Sequence, residues 1–415
     1  MSSFQPVRGT HDLLPAAFQV HKRVIDTAQG IAARYGFHEM SPPILEFTKV
    51  FARTMGETSD VVTKEMYNFM DRGGDEQISL RPEFTAGICR AFISNGMYDQ
   101  VPFKAFAAGP LFRYERPQKG RQRQFHQIDL EILGVPEPIA DIEALAVGHH
   151  ILEELGVLED VTLKINTLGN SESRGVYRAR LIDYLEPFES DLSDDSRGRL
   201  HRNPLRIFDS KSKPDQDIMA DAPVLQDSLD KASRQFFDKV CDGLVYLDIP
   251  FSIDAGLVRG LDYYTHTAFE FVTESLGAQG AVIAGGRYDG LIEQLGGRPT
   301  PGIGWAGGIE RLALMVGEAP TAPRPIAIIP LGAAAEMRAQ ILARDLRKKG
   351  FVVEYSYTGN MKRRLSRANK IAACAALIMG DDELSKSIVT VRDMDSGSQW
   401  EIPIGSLSDS LSHYR

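Results

Sequence analysis

The first strong hydrophobic pattern in the chain is helical. Apolar side chains recur at three- and four-residue spacing from Ala16 to Tyr35, and Gly36 stands where such a helix ends. The spacing therefore predicts an amphipathic helix over this stretch. The next segment, 37–47, contains two consecutive prolines and is predicted to be an extended edge or a turn, because proline disrupts a helix interior.

Further along the chain, short apolar runs predict strands and longer periodic segments predict helices. Strand patterns occur at 77–81, 103–112 and 129–134, and a helical pattern covers 141–155. The segment 171–242 is also helical in pattern but rich in Asp, Ser, Arg and Lys. We interpret it as a helical insertion that interrupts one domain.

The last quarter of the chain has a different pattern. The stretch 319–325 holds three prolines in seven residues and is predicted to be a linker. Strands are predicted at 326–331, 351–355 and 375–379, with helices at 336–349 and 361–373. This alternation predicts a small α/β domain with a largely parallel sheet. The expected domain bounds are 1–170 and 243–320 for one domain in two parts, 171–242 for the insertion and 324–415 for the terminal domain.

Composition limits the class of protein. The chain has 415 residues, of which 43% are hydrophobic and 25% charged, as in globular proteins. No apolar stretch is long enough to span a membrane, and no secretory signal pattern opens the chain. Cys89, Cys241 and Cys374 lie far apart without metal-binding spacing, so we expect idle thiols in a reducing cytosol and a cytoplasmic location.

Charge is unevenly distributed along the chain. The formal net charge is −9, yet 324–415 carries 14 basic against 10 acidic residues. Such asymmetry points weakly to a nucleic-acid partner for the terminal domain, and a solvated surface explains it almost as well.

The densest chemical signal is a loop rich in arginine. Five cations and one acid, Glu115, occur within eleven residues, and Pro117 and Gly120 bend the middle of the segment. The cations are Arg113, Arg116, Lys119, Arg121 and Arg123. Guanidinium groups match phosphate oxygens in pairs, so the loop suits a polyanion such as a nucleoside triphosphate. A solvated charged hairpin explains this segment alone equally well.

The strand that follows the loop has an unusual polar face. Phe125, Gln127, Asp129 and Glu131 alternate along it and therefore point to one side. A core strand would present apolar side chains there, so the pattern favours a binding site on this face of the sheet.

Three further clusters carry candidate chemistry. Glu83 and Thr85 follow a predicted strand and suit an ammonium group, or alternatively cap a helix. Arg259 precedes paired tyrosines, Tyr263 and Tyr264, which suit a small polar ligand. Arg311 lies in the first turns of a helix that follows several glycines, and such a helix start attracts phosphate.

Glycine is concentrated around the last two clusters. The stretch 256–317 contains 14 of the 37 glycines, which is typical of backbone that turns sharply or approaches a ligand closely. Ordinary turns between short strands are the alternative explanation.

Taken together, these motifs resemble the class II aminoacyl-tRNA synthetases, and specifically the histidyl-tRNA synthetase family. The opening 7–15 and the first helix through Pro43 resemble motif 1, a dimer-interface element, the arginine hairpin resembles motif 2, and 302–312 resembles motif 3. The segments 257–264 and 284–291 resemble the two histidine-specific signature peptides of the family.

The resemblance implies a fold and an activity. The fold would be α+β, with an antiparallel-sheet catalytic domain, a helical insertion and a C-terminal α/β anticodon-binding domain. The activity would be ATP-dependent activation of L-histidine to histidyl-adenylate, followed by transfer of the histidyl group to the 3′ end of tRNA(His). Mg²⁺ would accompany ATP without a protein cage, the chain would form a homodimer, and no editing domain is expected.

The resemblance also implies roles for individual residues. The catalytic residues would be Arg113 and Arg259, close to the α-phosphate. The ATP-binding residues would be Arg113, Glu115, Arg121, Phe125 and Arg311. The histidine-binding residues would be Glu83, Thr85, Arg113, Gln127, Glu131, Arg259, Tyr263 and Tyr264. The tRNA-binding residues would be Gln118, Lys119, Lys362, Arg363 and Arg364, although the last three equally suit a solvated helix face.

Three other functions compete with this one. The family's catalytically silent paralogue, a regulatory subunit of the first enzyme of histidine biosynthesis, shares the core but typically lacks the terminal domain and an intact arginine signature. Here Arg113, Arg259 and Arg311 are present and a terminal domain follows, which favours the synthetase. A non-catalytic tRNA-binding module and a generic ATP-dependent ligase are the remaining alternatives.

Overall fold

The computed structural model describes residues 4–55, 61–118, 120–257, 263–277, 280–318 and 323–414. The chain forms two compact units, Met1–Ala319 and Pro320–Arg415. Two predicted site residues, Lys119 and Arg259, lie outside the described residues. None of the helices described is both long and apolar enough to cross a membrane.

The first unit is built on an eight-stranded sheet with the order β1-β5-β6-β11-β10-β9-β7-β8. Its strands are β1 (His38–Glu39), β5 (Phe103–Phe112), β6 (Gln124–Leu133), β7 (Thr162–Thr167), β8 (Phe251–Ile253), β9 (Thr265–Val272), β10 (Ala281–Arg287) and β11 (Gly302–Gly308). All neighbours in the sheet are antiparallel except the two outermost pairs, β1–β5 and β7–β8. A separate three-stranded sheet contains β2 (Leu45–Phe47), β3 (Asn68–Met70) and β4 (Gln77–Leu80).

The helices of the first unit are α1 (Pro15–Arg34), α2 (Thr48–Met55), α3 (Thr85–Ser94), α4 (Ile139–Glu154), α5 (Ser171–Leu185), α6 (Asp194–Arg199), α7 (Lys213–Met219), α8 (Lys231–Tyr246), α9 (Leu291–Gln294) and α10 (Ile309–Val316). The predicted first helix is confirmed, and it buries Val24, Ala28 and Ile31 in the core that covers the sheet. Phe18 belongs to the same apolar pattern but is exposed.

The segment predicted to be an insertion is helical. Its helices α5 to α7 pack around Tyr177, Leu181 and Leu200, whereas α8 buries Val240 and Leu244 in the core of the eight-stranded sheet. Within the segment predicted to be an insertion, α8 thus packs against the sheet, whereas α5 to α7 pack in a different cluster. Periodicity alone gave no reason to separate α8 from the preceding helices.

The second unit is a five-stranded sheet with the order β13-β12-β14-β15-β16. Its strands are β12 (Ile326–Pro330), β13 (Val353–Tyr355), β14 (Ala375–Met379), β15 (Ile388–Asp393) and β16 (Gln399–Pro403). The first three strands in this order are parallel, as predicted, but β15 and β16 extend the sheet in antiparallel fashion. Its helices are α11 (Ala333–Lys348), α12 (Met361–Lys370), α13 (Asp381–Ser385) and α14 (Leu407–Ser410).

Helices α11 and α12 cover opposite faces of this sheet. Ala339 and Leu342 of α11 pack with Ile326 and Leu377, whereas Ala368 of α12 packs with the alternate strand residues. Because side chains alternate across a strand, these two clusters form the two halves of an independent core. Short 3-10 helices occur at Met97–Gln100, Leu158–Asp160, Glu186–Asp191, Pro204–Asp209, Leu225–Ser228, Ile404–Ser406 and Ser412–Tyr414, and a π-helical turn at Val61–Glu65.

Candidate active site

A cavity of about 680 Å³ lies over the polar face of β6. It brings together most of the site residues predicted from the sequence: Glu83, Thr85, Arg113, Glu115, Arg121, Phe125, Gln127, Tyr263, Tyr264 and Arg311. Glu131 does not line the cavity but is fully buried. Gln118 lies on the exposed loop between β5 and β6.

The cavity exists because β6 has small neighbours on both sides. Asp129 pairs with Ala107 of β5 and Ala306 of β11, and Glu131 pairs with Ala105 and Gly304. Side chains that face each other across neighbouring strands share one surface of the sheet. Small residues beside the polar ones therefore leave a hollow over the strand, and the polar groups point into it or line its base.

Positive charge is concentrated at one end of the cavity. The guanidinium of Arg113 lies 5.3 Å from the centre of the Phe125 ring, and its Nε donates to the carbonyl of Pro82 at 2.9 Å. Arg121 forms a 2.7 Å ion pair with Glu115. Arg311 donates to the carbonyl of Ala281 at 2.6 Å. Three fixed cations beside an aromatic face form a suitable site for a purine nucleotide with its phosphates.

Arg311 is held in this group by the residue before it. The carboxylate of Glu310, in the first turn of α10, accepts the backbone N–H of His126 at 3.0 Å from each oxygen and contacts the His126 ring Nδ1 at 2.9 Å. These bonds link the start of α10 to β6. His21 completes a group of donor atoms within 4.8 Å, but both oxygens of Glu310 already accept hydrogen bonds from His126. Both Glu310 oxygens are therefore already engaged within the chain.

Three buried carboxyl groups lie at or behind the other end of the cavity: Glu83 and Asp129 line it, and Glu131 is buried next to them on β6. Burial raises the pKa of Glu131 to about 8. Burial, together with the charges of Glu131 and Glu83, raises the pKa of Asp129 well above its usual range. Burial and mutual repulsion therefore favour protonation within this group.

The position of Glu83 is compatible with both of the roles predicted for it, helix capping and ligand binding. One carboxylate oxygen accepts the backbone N–H of Ala86 at 2.8 Å and so caps the start of α3. The same side chain lines the cavity, and burial raises its pKa. Helix capping and ligand binding are thus compatible, because a carboxylate has about four acceptor positions.

Three tyrosines form a wall of the carboxyl end. The rings of Tyr263 and Tyr264 are 4.6 Å apart between centres, and Tyr263 lies 5.8 Å from Tyr288. The Tyr288 hydroxyl donates to Glu131. Tyr288 was not singled out from the sequence, although it belongs to the second signature peptide at 284–291. Asp129 was noted only as part of the polar face, and Glu270 on β9 also lines the cavity without having been predicted.

The predicted tRNA-binding residues of the second unit differ in exposure. Lys362 and Arg363 on α12 are exposed. Arg364 is buried, and its guanidinium donates to the carbonyls of Gly359, at 2.7 Å, and Pro330. The structure therefore corrects the expectation for Arg364, because a guanidinium already bound to two carbonyls inside the domain is not available to a phosphate. The i+4 spacing of the buried positions Arg364 and Ala368 was masked by the charge of the segment.

The antiparallel sheet with its arginine-rich hairpin and the arginine at the start of α10 define the class II aminoacyl-tRNA synthetases. Comparison with known proteins gives the particular family. The sequence profile described as histidyl-tRNA synthetase matches residues 9–172 and 191–312, and that described as an anticodon binding domain matches 325–413. The chain belongs to the histidyl-tRNA synthetase family.

Individual relatives match the chain over its whole length. Histidine–tRNA ligase of Rhodospirillum rubrum is 54% identical over 415 residues, covering 100% of both chains. Histidine–tRNA ligase of Gluconacetobacter diazotrophicus is 52% identical over 411 residues, covering 99% of each chain. The crystal structure of apo histidyl-tRNA synthetase of S. aureus, 32% identical, superposes with a TM-score of 0.83 and covers 98% of this chain and 99% of that one.

Proposed function

We propose that the cavity over β6 is the site where histidine and ATP react. The observation that carries this proposal is the division of one strand face into two ends. Phe125 lies with three arginines at one end, and Asp129 and Glu131 lie with three tyrosines at the other. A ligand with phosphates and a ligand with nitrogen donors would meet between them, near Gln127 and Arg113.

The reaction has two steps. As a member of this family, the chain activates L-histidine with ATP and transfers the histidyl group to tRNA(His). In the first step a carboxylate oxygen of histidine attacks the α-phosphorus, the bond to the bridging oxygen breaks, and pyrophosphate leaves with the electron pair. In the second step the terminal ribose hydroxyl of tRNA attacks the carbonyl carbon and AMP leaves. Both steps depend mainly on positioning and on charge stabilisation.

At the ATP end, the fixed cations take the phosphates. Arg113 would contact the α-phosphate, since its Nε is held by the Pro82 carbonyl and its guanidinium lies beside Phe125. Arg121 and Arg311 would contact the outer phosphates, Phe125 would stack on adenine, and Glu115 would orient Arg121 through their 2.7 Å ion pair. Arg259 remains proposed as a second catalytic cation on the strength of the family resemblance alone.

At the histidine end, the polar groups match the side chain and the ammonium. Glu131 and Tyr264 would reach the two imidazole nitrogens, with Tyr263 as a wall and the Glu131 carboxylate oriented by Tyr288. Glu83, Thr85 and Gln127 would hold the ammonium. A site built from buried polar pairs rejects apolar amino acids strongly, because they leave those groups unpaired, so no editing step is needed.

Magnesium is proposed to enter with ATP. Mg²⁺ prefers oxygen ligands and is usually held by phosphates together with one or two carboxylates. Glu115 and Glu270 line the cavity close enough to act on the charge of Arg311, so oxygen ligands of the required kind are present at the phosphate end. The bound ion would neutralise negative charge on the phosphates.

The partners and location follow from other parts of the chain. We propose that Gln118 and Lys119 meet the acceptor end of tRNA and that Lys362 and Arg363 meet phosphates of its anticodon arm.

A homodimer is supported by large apolar side chains that are exposed near the start of the chain: Phe4, Val7, Leu14, Phe18, Ile44, Leu45 and Phe47. The three cysteines are all free, which supports a cytoplasmic location.

The experiment that tests this function is ATP–pyrophosphate exchange measured without tRNA for each amino acid. We expect exchange with histidine alone, because only an imidazole satisfies the buried carboxyl and tyrosine groups. Histidine binding without exchange would instead indicate the regulatory paralogue. Charging of tRNA(His) after positive exchange separates the synthetase from a generic ligase, and exchange itself excludes a purely tRNA-binding module.

A further inference from the structure

Asp129 is a buried carboxyl group with no assigned role. Its side chain is 1% exposed and lines the cavity. Neither carboxylate oxygen accepts a hydrogen bond from any donor among the described residues. The charged groups that act on Asp129 are the carboxyl groups of Glu131 and Glu83 and, more weakly, the guanidinium of Arg81. An unpaired buried carboxyl is costly, so a group this well buried needs either a proton or a ligand.

A second acceptor beside it is also unpaired. The side-chain oxygen of Gln127, two residues before Asp129 on the same face of β6, has no hydrogen-bond partner among the described residues. Glu83 lies close enough for its charge to raise the pKa of Asp129. Three acceptors therefore face one region of the cavity: the Gln127 amide oxygen and the carboxylates of Glu83 and Asp129.

The number and charge of these acceptors match an ammonium group. An ammonium has three N–H donors and no acceptor, whereas a neutral imidazole has one donor and one acceptor. Glu131 already accepts the Tyr288 hydroxyl and does not line the cavity, so it is displaced from this region toward the tyrosine wall. Along β6, Asp129 lies between Gln127, proposed to hold the ammonium, and Glu131, proposed to hold the imidazole, and the charge of Glu83 acts on both Asp129 and Glu131.

We propose that Asp129 binds the α-ammonium of histidine directly, as the third acceptor beside Glu83 and Gln127. This inference rests on the proposed function, because it assigns a residue to the same substrate. The ammonium would also replace the proton that Asp129 shares with Glu131, so binding of an amine-bearing ligand releases that proton. Asp129 would then select ligands that carry a free α-amino group.

The test compares two histidine analogues on Asp129→Asn. Histidinol keeps the ammonium and the imidazole, whereas imidazole-4-propionate lacks the ammonium. Calorimetric binding to the full chain should show histidine and histidinol weakened about thirtyfold and imidazole-4-propionate changed less than about threefold, since only the amines lose a hydrogen bond to an ionised carboxylate, for which a neutral amide is a weaker substitute. Equal losses for both analogues, or a loss confined to imidazole-4-propionate, would overturn the proposal.

Two controls separate the possible failures. Glu131→Gln removes a group assigned to the imidazole, which both analogues share, and should weaken both. ATP binding should match the parent, and the unfolding temperature of Asp129→Asn should not fall below that of the parent, because the change is isosteric and burial already favours the neutral form of Asp129. If the parent chain binds no histidine, the proposed function fails. If the parent binds and Asp129→Asn binds equally well, only the role of Asp129 fails.

A measurement on the parent chain needs no variant. At pH 8, in two buffers with different ionisation enthalpies, histidinol should release more protons on binding than imidazole-4-propionate does. Equal proton release by the two ligands would contradict displacement of the shared proton and with it the direct contact between Asp129 and the ammonium.

Discussion

Glu83, Asp129 and Glu131 crowd three carboxyl groups into one buried end of the cavity, where Arg113 is the cation whose charge acts on Glu83. These groups do not stabilise the folded protein when no ligand is bound, since burial disfavours the charged form of each group. Its value lies in binding, because a ligand that brings nitrogen donors relieves the repulsion. In the absence of ligand, ionisation of these carboxyl groups near neutral pH therefore destabilises the folded chain.

The raised pKa values of these carboxyl groups predict how the free energy of unfolding depends on pH. Burial raises the pKa of Glu131 in the folded chain to about 8, above its value in the unfolded chain. The protonated group favours folding, and that contribution is lost as the pH rises through the folded pKa. Glu131→Gln stays neutral and should unfold at least about 2 °C above the parent at pH 8, with the difference vanishing near pH 4.5. Thermal unfolding in the absence of ligands measures it.

The same comparison contains its own control. Saturating histidine should reverse the order at pH 8, because the ionised Glu131 of the parent gains a ligand donor that the amide serves less well. An unfolding temperature of Glu131→Gln that tracked the parent at every pH would show that Glu131 titrates normally.

At this scale the sequence predicted the chemical types in the site but not their arrangement. Arginines, carboxylates and tyrosines are recognisable in short motifs such as that around Arg113. The folded structure was needed to find the hydrogen bond from Tyr288 to Glu131. It was also needed to show that the Asp129 oxygens have no hydrogen-bond partner among the described residues. Contacts between residues 157 positions apart carry no local signal in the chain.

At the scale of elements, an ion pair inside the first unit joins α4 to β10. The side chains of Arg287 and Asp141 are both fully buried, and Arg287 also bonds to Asp289 at 2.9 Å and to the Val135 carbonyl at 3.0 Å. Arg287 directly precedes Tyr288, which donates to Glu131. The pair therefore fixes the end of β10 and, through it, the tyrosine that donates to Glu131, the carboxylate proposed to bind the imidazole.

Removing one partner of this pair should affect stability and histidine binding together. Asp141→Asn leaves the Arg287 charge without its buried partner and should lower the free energy of unfolding by about 3 kcal/mol, as measured by urea denaturation. The Michaelis constant for histidine should rise about tenfold through displacement of Tyr288, while that for ATP stays constant because Arg113 and Arg311 are held by other contacts.

An exposed pair provides the comparison. Asp26 forms a 2.7 Å ion pair with Lys22 on α1, where both side chains are about half exposed. Asp26→Asn should change the free energy of unfolding by less than about 1 kcal/mol, because water screens an exposed pair. Equal effects of Asp26→Asn and Asp141→Asn would show that the buried pair is not what holds β10.

Elements with a strong period were predictable and short ones were not. The long strand β5 begins and ends where its apolar run does, and α4 begins two residues before its predicted start. Strands β1 to β3 have two or three residues each, too few to show alternation. The sequence analysis predicted no strand after 375–379, so the antiparallel strands β15 and β16 were missed. Nothing in their composition marked them as additional strands of the same sheet.

At the scale of the molecule, the chain divides chemistry and nucleic-acid recognition between two units with separate cores. The first unit holds every described residue that lines the cavity over β6, the proposed active site. The second holds α12, whose exposed face carries Lys362 and Arg363, while the opposite face of its sheet is covered by α11. Activation of histidine and recognition of tRNA should therefore respond to different substitutions.

Lys362→Glu tests this division with the intact chain. Reversing one exposed charge on α12 should leave histidine-dependent ATP–pyrophosphate exchange unchanged, because the reacting atoms lie in the other unit. It should lower kcat/KM for tRNA(His) about tenfold at low salt and reduce the slope of log kcat/KM against log salt by about 1, since a phosphate contact releases about one counterion.

Lys348→Glu is the matched control: it makes the same charge change on α11, across the sheet. Equal losses in the two variants would mean that overall charge, and not the α12 surface, attracts tRNA, and a loss of exchange in Lys362→Glu would mean that the two units do not act separately.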